Sequence, residues 1–155
     1  MIAVVVLAAV AGALIGVAAQ AATSGSAPIN RFDAVDEIVN ECTTTSTFKL
    51  VPQMRRSFTV PGTTDERVVV MFQGALSLSG SAGGFDTGFL RLTIDGVEQQ
   101  PGEIPAIGEG GRGTHGFNWK TAPLDPGTHV ARVQWRTDLG ESLCADARSL
   151  IVMHK

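Results

Sequence analysis

The sequence predicts an all-β fold: a two-sheet antiparallel sandwich, jelly-roll-like, of about eight strands. Three observations carry this. From Thr45 onward apolar residues recur with a period of two, Gly, Pro and Asp-Gly pairs punctuate the chain at short intervals, and helical periodicity is almost absent. Strands this short and closely spaced do not suit a parallel α/β fold, which needs helical crossovers between its strands.

The chain divides before the strands begin. Its first charged residue is Arg31, and Ile2 to Ala19 is an unbroken apolar stretch followed by Gln20. Ala19-Gln20-Ala21 offers the small-x-small pattern of signal cleavage, so residues 1–21 read as a signal peptide cut after Ala21. The alternative is an uncleaved anchor over residues 2–19, because eighteen apolar residues approach the span of a bilayer. Either way the domain lies outside the cytoplasm, secreted or membrane-anchored. Residues 22–44 read as a linker and a short N-terminal segment, with a helix at Ala34 to Asn40 capped by Asp33.

The sandwich is assigned to residues 45–155. Thr47 to Val51 and Ser57 to Val60 read as two short strands, and Arg67 to Leu78 as a long central one, apolar on both faces through Met71 and bent or bulged at Gly74. Gly88 to Asp95 sends Leu90, Leu92 and Ile94 inward, and Asp95-Gly96 turns the chain tightly into Val97 to Gln100. Thr114 to Lys120 holds Phe117 and Trp119. After the Asp125-Pro126-Gly127 turn, Thr128 to Arg136 points Ala131, Val133 and Trp135 to the core, and Ala147 to Met153 closes the domain.

Cys42 and Cys144 are the only cysteines, and two in an exported chain read as one disulfide. An immunoglobulin-like sandwich is the rival architecture, but its bridge joins strands within the core, whereas these cysteines flank the domain.

The chemistry-bearing residues point away from catalysis. Gly108 to Gly113 contains G-x-G-x-x-G, yet a strand rather than a helix follows, so it reads as a loop at one end of the sandwich, free of packing and open to shortening. His115, His129 and His154 lack the spacing of a zinc site, His129 reads as a strand-start imidazole bonded to a backbone carbonyl, and His154 as a frayed end. No nucleophile elbow occurs, and the acidic residues sit in turns, where they read as solvated. Asp86, Asp95 and Glu103 do not form a calcium loop. No cofactor and no metal are expected, and the balance of 15 acidic against 12 basic residues gives no reason to bind nucleic acid.

The candidate binding residues are Arg112, His115 and Trp119, toward a protein or glycan partner. Trp119 also reads as core. Contact with a membrane is expected only through an uncleaved N-terminal segment, and homo-oligomers are possible. The leading expectation is a non-catalytic binding or surface-interaction module, followed by an assembly subunit, which would show an exposed apolar sheet face, and then by a hydrolase with an acid pair.

The stretches Leu124 to Trp135, Leu92 to Val97 and Arg148 to Val152 together resemble uncharacterised secreted bacterial jelly-roll β-sandwich domains. The resemblance covers about Thr45 to Lys155 and implies fold and export, without an activity. A looser similarity to the trimeric jelly rolls of the complement-C1q and tumour-necrosis-factor type stops at architecture, because their tyrosine-rich closing strands are missing: the chain has no tyrosine.

Overall fold

The protein is described by a computed structural model covering residues 31–80, 85–108 and 110–155; the expected signal peptide lies outside these residues. Its strands are β1 (Arg31–Glu37), β2 (Glu41–Thr43), β3 (Lys49–Val60), β4 (Val69–Ser79), β5 (Thr87–Ile94), β6 (Val97–Glu98), β7 (Ile104–Gly108), β8 (Arg112–Lys120), β9 (Gly127–Thr137) and β10 (Ser142–His154). They form two antiparallel sheets. The first runs β1-β10-β4-β8 with β2 also on β10; the second runs β3-β9-β5, with β6 and β7 sharing the far edge of β5. Setting aside short β2 and β6, one sheet holds the first, eighth, third and sixth strands and the other the second, seventh, fourth and fifth, the jelly-roll order.

The core lies between the sheets. Phe72, Leu76, Leu78, Trp119, Leu150 and Val152 from the first meet Val51, Met54, Leu90, Leu92, Val133 and Trp135 from the second, all at most 2% exposed. Burying each such side chain contributes about 1.5 to 3 kcal/mol.

Sequence and structure part at the N-terminus. Residues 31–37 form β1 rather than the start of a helix, pairing with β10 over seven residues from Arg31↔His154 to Glu37↔Arg148. A seven-residue helix is marginal in isolation, and ladder pairing outweighs it. The Glu37 carboxylate accepts the Ile38 and Val39 N–H groups, shaping a turn. The two strands expected at Thr47 to Val51 and Ser57 to Val60 are one strand, β3, whose register shifts between Leu50 and Arg55 around Gln53 at φ 63°. That bulge, together with Pro52, is tolerated because β3 is an edge strand.

Other expectations hold. Asp95 and Gly96 both have positive φ, 50° and 89°, as a two-residue hairpin turn requires. β4 is an interior strand, and the irregularity at Gly74 lies in its partner: β10 shifts register between Ala145 and Arg148, opposite Gly74. A Cβ on Gly74 would come within 2.9 Å of the Phe72 ring. Cys42 and Cys144 are bridged, directly opposite one another on β2 and β10 with Cα atoms 4.0 Å apart.

The last strand does not fray. His154 is 2% exposed, its Nε2 lies 3.1 Å from Asp33, and the following Lys155 N–H donates to Glu66. Arg56 adds a 3.2 Å ion pair to Asp33, and Arg148 donates to the carbonyls of Pro52 and Val39. These polar groups close the seam between edge strands β1 and β3. On the opposite side the outermost strands are β7 and β8.

Candidate functional site

Where β7 and β8 leave the sandwich side uncovered, a cleft of about 580 Å³ opens. One wall is aliphatic, from Pro105, Ala106 and Ile107 on β7; the other carries Gly111, Arg112 and His115. The glycine-rich segment makes this geometry, and it is not the free loop that composition suggests. Arg112 and Gly113 already pair with Ser77 and Leu76 of β4. The turn itself is docked on the end of β4: Gly110 donates to the Leu78 carbonyl and Leu78 donates to that of Gly111, each at 3.0 Å. A Cβ on Gly111 would approach the Gly108 carbonyl oxygen and Ile107 Cγ1 at 2.7 Å, so glycine is required for the sheets to approach so closely.

Two of the three candidate binding residues meet here. Arg112 reaches solvent from the first residue of β8, and His115 is half-buried on the inner side of the same strand. Neither side chain makes a hydrogen bond or ion pair with another described residue, which leaves their donors turned to the cleft. The His115 ring stacks on Phe117 at 6.4 Å and 11°, which fixes its plane. Trp119 is excluded. It shares the inward face of β8 but lies four residues deeper, below Phe117, where it is 1% exposed and fills the core. Trp135 is also buried and Phe89 is covered by the Arg136 guanidinium at 4.3 Å, whereas Phe85, just before β5, is 97% exposed and leaves an open aromatic ring.

The remaining titratable candidates are engaged elsewhere. His129 Nε2 lies 2.8 Å from the Asp125 carbonyl, the strand-start contact the sequence suggests, and Nδ1 lies 2.7 Å from the Asp95 carboxylate. Burial opposes its charge, but these two acceptors outweigh it and raise its pKa above the usual histidine value. The Asp95 carboxyl is lowered in turn: burial opposes ionisation, while His129 and the Val130 N–H favour it.

Asp86 is the residue sequence reasoning missed. It is 1% exposed rather than solvated, and its carboxylate accepts the N–H groups of Thr87, Asp138, Leu139 and Glu141. Desolvation opposes its ionisation, the four donors outweigh it, and its pKa falls below the ordinary carboxylate value. Glu103 pairs with Arg136. Asp95 stands apart, while Asp86 and Glu103 are linked through Asp138, whose N–H donates to Asp86 and whose carboxylate shares Arg136 with Glu103; no cluster of three or more His, Cys, Asp or Glu side chains suited to a metal occurs among the described residues.

No family model and no curated protein matches the chain. Of the solved structures, 21 chains match. One is the dimeric latent PorU of Porphyromonas gingivalis, with a TM-score of 0.43 and 13% identity over 84% of this chain. The match spans 14% of the PorU chain.

Proposed function

We propose that the chain is an extracytoplasmic, non-catalytic binding module whose cleft between β7 and β8 takes an extended protein segment bearing a carboxylate. The observation that carries this is the pairing, in one cleft, of an aliphatic wall with the uncommitted Arg112 guanidinium and His115 imidazole. Arg presents a planar fork of donors that suits a carboxylate, and an aliphatic side chain two residues along an extended ligand would face Ile107 and Pro105. β8 is the outermost strand of its sheet, so its free edge offers backbone groups to a ligand in strand conformation.

The disulfide, and the absence among the described residues of a helix long and apolar enough to cross a membrane, are compatible with this location. The non-catalytic reading is supported by the cleft's own lining, which among the described residues holds no carboxylate, serine or cysteine side chain beside His115.

Fluorescence anisotropy with a degenerate pool of octapeptides, each with a central Glu flanked by Val, Ile and Leu, tests the reading. The Glu pool is expected to bind roughly tenfold tighter than the same pool with Gln, and Arg112→Ala to abolish the difference. Equal binding of the two pools to the unaltered protein, or no binding of either, would reject it.

A further inference from the structure

The seam between β1 and β3 holds a second cleft, of about 290 Å³, on the other side of the sandwich from that between β7 and β8; Phe58 is the one apolar residue among the described residues that line it. Arg31 and Asp33 come from β1, Ser57 and Thr59 from β3, Thr128 from β9 and His154 from the end of β10. His154 is the most deeply buried of them, at 2% exposed, and the ladder places Arg31 directly opposite it, so the two side chains leave the backbone roughly 5 Å apart on one face. Two features here serve no purpose in the fold. His154 Nε2 lies 3.1 Å from Asp33, but Nδ1 is buried with no hydrogen-bond partner among the described residues, where buried polar atoms are as a rule paired. Arg31 makes no hydrogen bond or ion pair with another described residue. Asp33 settles which nitrogen of His154 carries the proton. Its carboxyl is held below the ordinary value, first by the hydrogen bond from His154, with burial opposing and Arg56 assisting. An ionised acceptor puts the proton on Nε2, so Nδ1 is the atom whose protonation can change. The charge of Asp33 is spent on Arg56, at 3.2 Å, and on His154, whereas that of Arg31 has no counter-ion among the described residues.

We propose that this cleft binds a small tetrahedral oxyanion, sulfate or phosphate, between Arg31 and His154, whose Nδ1 takes up a proton from solvent and donates a hydrogen bond to the anion. The guanidinium fork suits such an anion, and hydroxyls extend the donor set. The Ser57 hydroxyl has no partner among the described residues, and those of Thr59 and Thr128 face each other across the ladder with their oxygens 3.5 Å apart. β3 is an edge strand, so every second residue along it turns its N–H away from β9 and toward the seam. Without the anion, a protonated imidazole stands beside Arg31 with a buried N–H and no acceptor; with it, both cations are answered. The other charged groups packed around the ring are already engaged. Arg56 is paired with Asp33, Glu66 accepts the Lys155 N–H, and His129, which also packs on the Phe58 ring, is held by Asp95.

Sulfate is the decisive probe, because its own charge does not change near neutral pH. Titrating the ¹⁵N-labelled protein with sodium sulfate, against sodium chloride at matched ionic strength, should move the amides of Arg31, Ser57 to Thr59 and Thr128 to saturation. Long-range proton–nitrogen spectra at a fixed pH of about 7 should show the His154 ring passing to the imidazolium pattern as sulfate is added, with His115 and His129 unmoved. Affinity should fall roughly tenfold between about pH 5.5 and about pH 8, as the Nδ1 proton is lost. Arg31→Gln and Ser57→Ala, both at exposed positions, should leave Tm unchanged while weakening sulfate roughly tenfold and roughly threefold. Methyl phosphate separates two sources of the same chemistry, and both of its outcomes support the inference: binding equal to that of phosphate shows that the cleft takes a monoester on a larger molecule, and weaker binding that it takes the free ion. No saturating shift with sulfate, chloride acting as well as sulfate, an affinity that does not change with pH, a His154 ring that sulfate leaves neutral, or binding unaffected by Arg31→Gln would each overturn it.

Discussion

Replacing Asp86 by alanine is expected to be among the most damaging single changes available to this fold. The carboxylate draws the β9 to β10 connection onto the start of β5: Oδ1 accepts from Thr87 at 2.6 Å, Asp138 at 2.8 Å and Leu139 at 3.0 Å, and Oδ2 from Glu141 at 3.0 Å. A hydrogen bond to a charged acceptor contributes about 1.5 to 3 kcal/mol, so four of them set an upper bound well above what is realised. Leu139 is 67% exposed, so water reaches part of this connection and re-satisfies some donors. The expected loss is therefore about 3 to 5 kcal/mol, a large share of the 5 to 15 kcal/mol of a typical domain. That corresponds to a fall in Tm of roughly 10 to 20 °C for a domain of this size. Urea denaturation gives the loss, and hydrogen exchange locates it at the amides of Leu139 and Glu141. The pH dependence has a definite sign. Because the folded pKa of Asp86 is depressed, its contribution is present above the unfolded value near 3.8 and is lost as pH falls below it. The gap between wild type and Asp86→Ala should accordingly narrow in acid. A loss below about 1 kcal/mol at neutral pH, or a gap that does not change with acid, would refute the reasoning.

Three further outcomes are expected. Removing the disulfide with Cys42→Ser and Cys144→Ser opens a loop of 102 residues and should cost up to about 4.7 kcal/mol, read as a lower urea midpoint; an unchanged midpoint would contradict it. His129→Phe keeps the ring contact with Phe58 but loses both acceptors, and should cost about 1 kcal/mol, discounted because Asp95 is 47% exposed. His129 has a raised pKa and Asp95 a lowered one, so this cost should be greatest between the two and shrink both as pH rises through the His129 value and as it falls through that of Asp95; a flat profile would show that the ion pair is idle. Gly111→Ala forces a Cβ to within 2.7 Å of the Gly108 carbonyl and should destabilise by about 1 to 3 kcal/mol, whereas a free loop would absorb the change.

What was legible in the sequence follows from the range of the interactions involved. The turn at Asp95-Gly96 is fixed by two residues whose φ values their own chemistry permits, and the alternation of Leu90, Leu92 and Ile94 fixes its face, so the hairpin reads directly. β1 was misread because its partner lies at the other end of the chain, Arg31 opposite His154, and local propensity says nothing about that ladder. The same remoteness hid the burial of His154, whose partner is Asp33. Asp86 looks like any turn aspartate, because three of the four backbone groups it binds lie more than fifty residues away. At the candidate site, composition singled out the glycine-rich segment but mistook tight docking for freedom. Gly111 is glycine because Ile107 and the Gly108 carbonyl leave no room for a Cβ. Arg112 and His115 were found by residue type; that they share a cleft while Trp119 does not depends on how far each lies along β8 from the open end of the sandwich.

The claim that the cleft between β7 and β8 is the ligand site is tested most directly by nuclear magnetic resonance shift mapping of the ¹⁵N-labelled protein titrated with the Glu octapeptide pool. The account predicts perturbations concentrated at Thr87, Ala106 to Gly108 and Gly111 to His115, which disappear in Arg112→Ala. Perturbations centred elsewhere, or unchanged by Arg112→Ala, would contradict it.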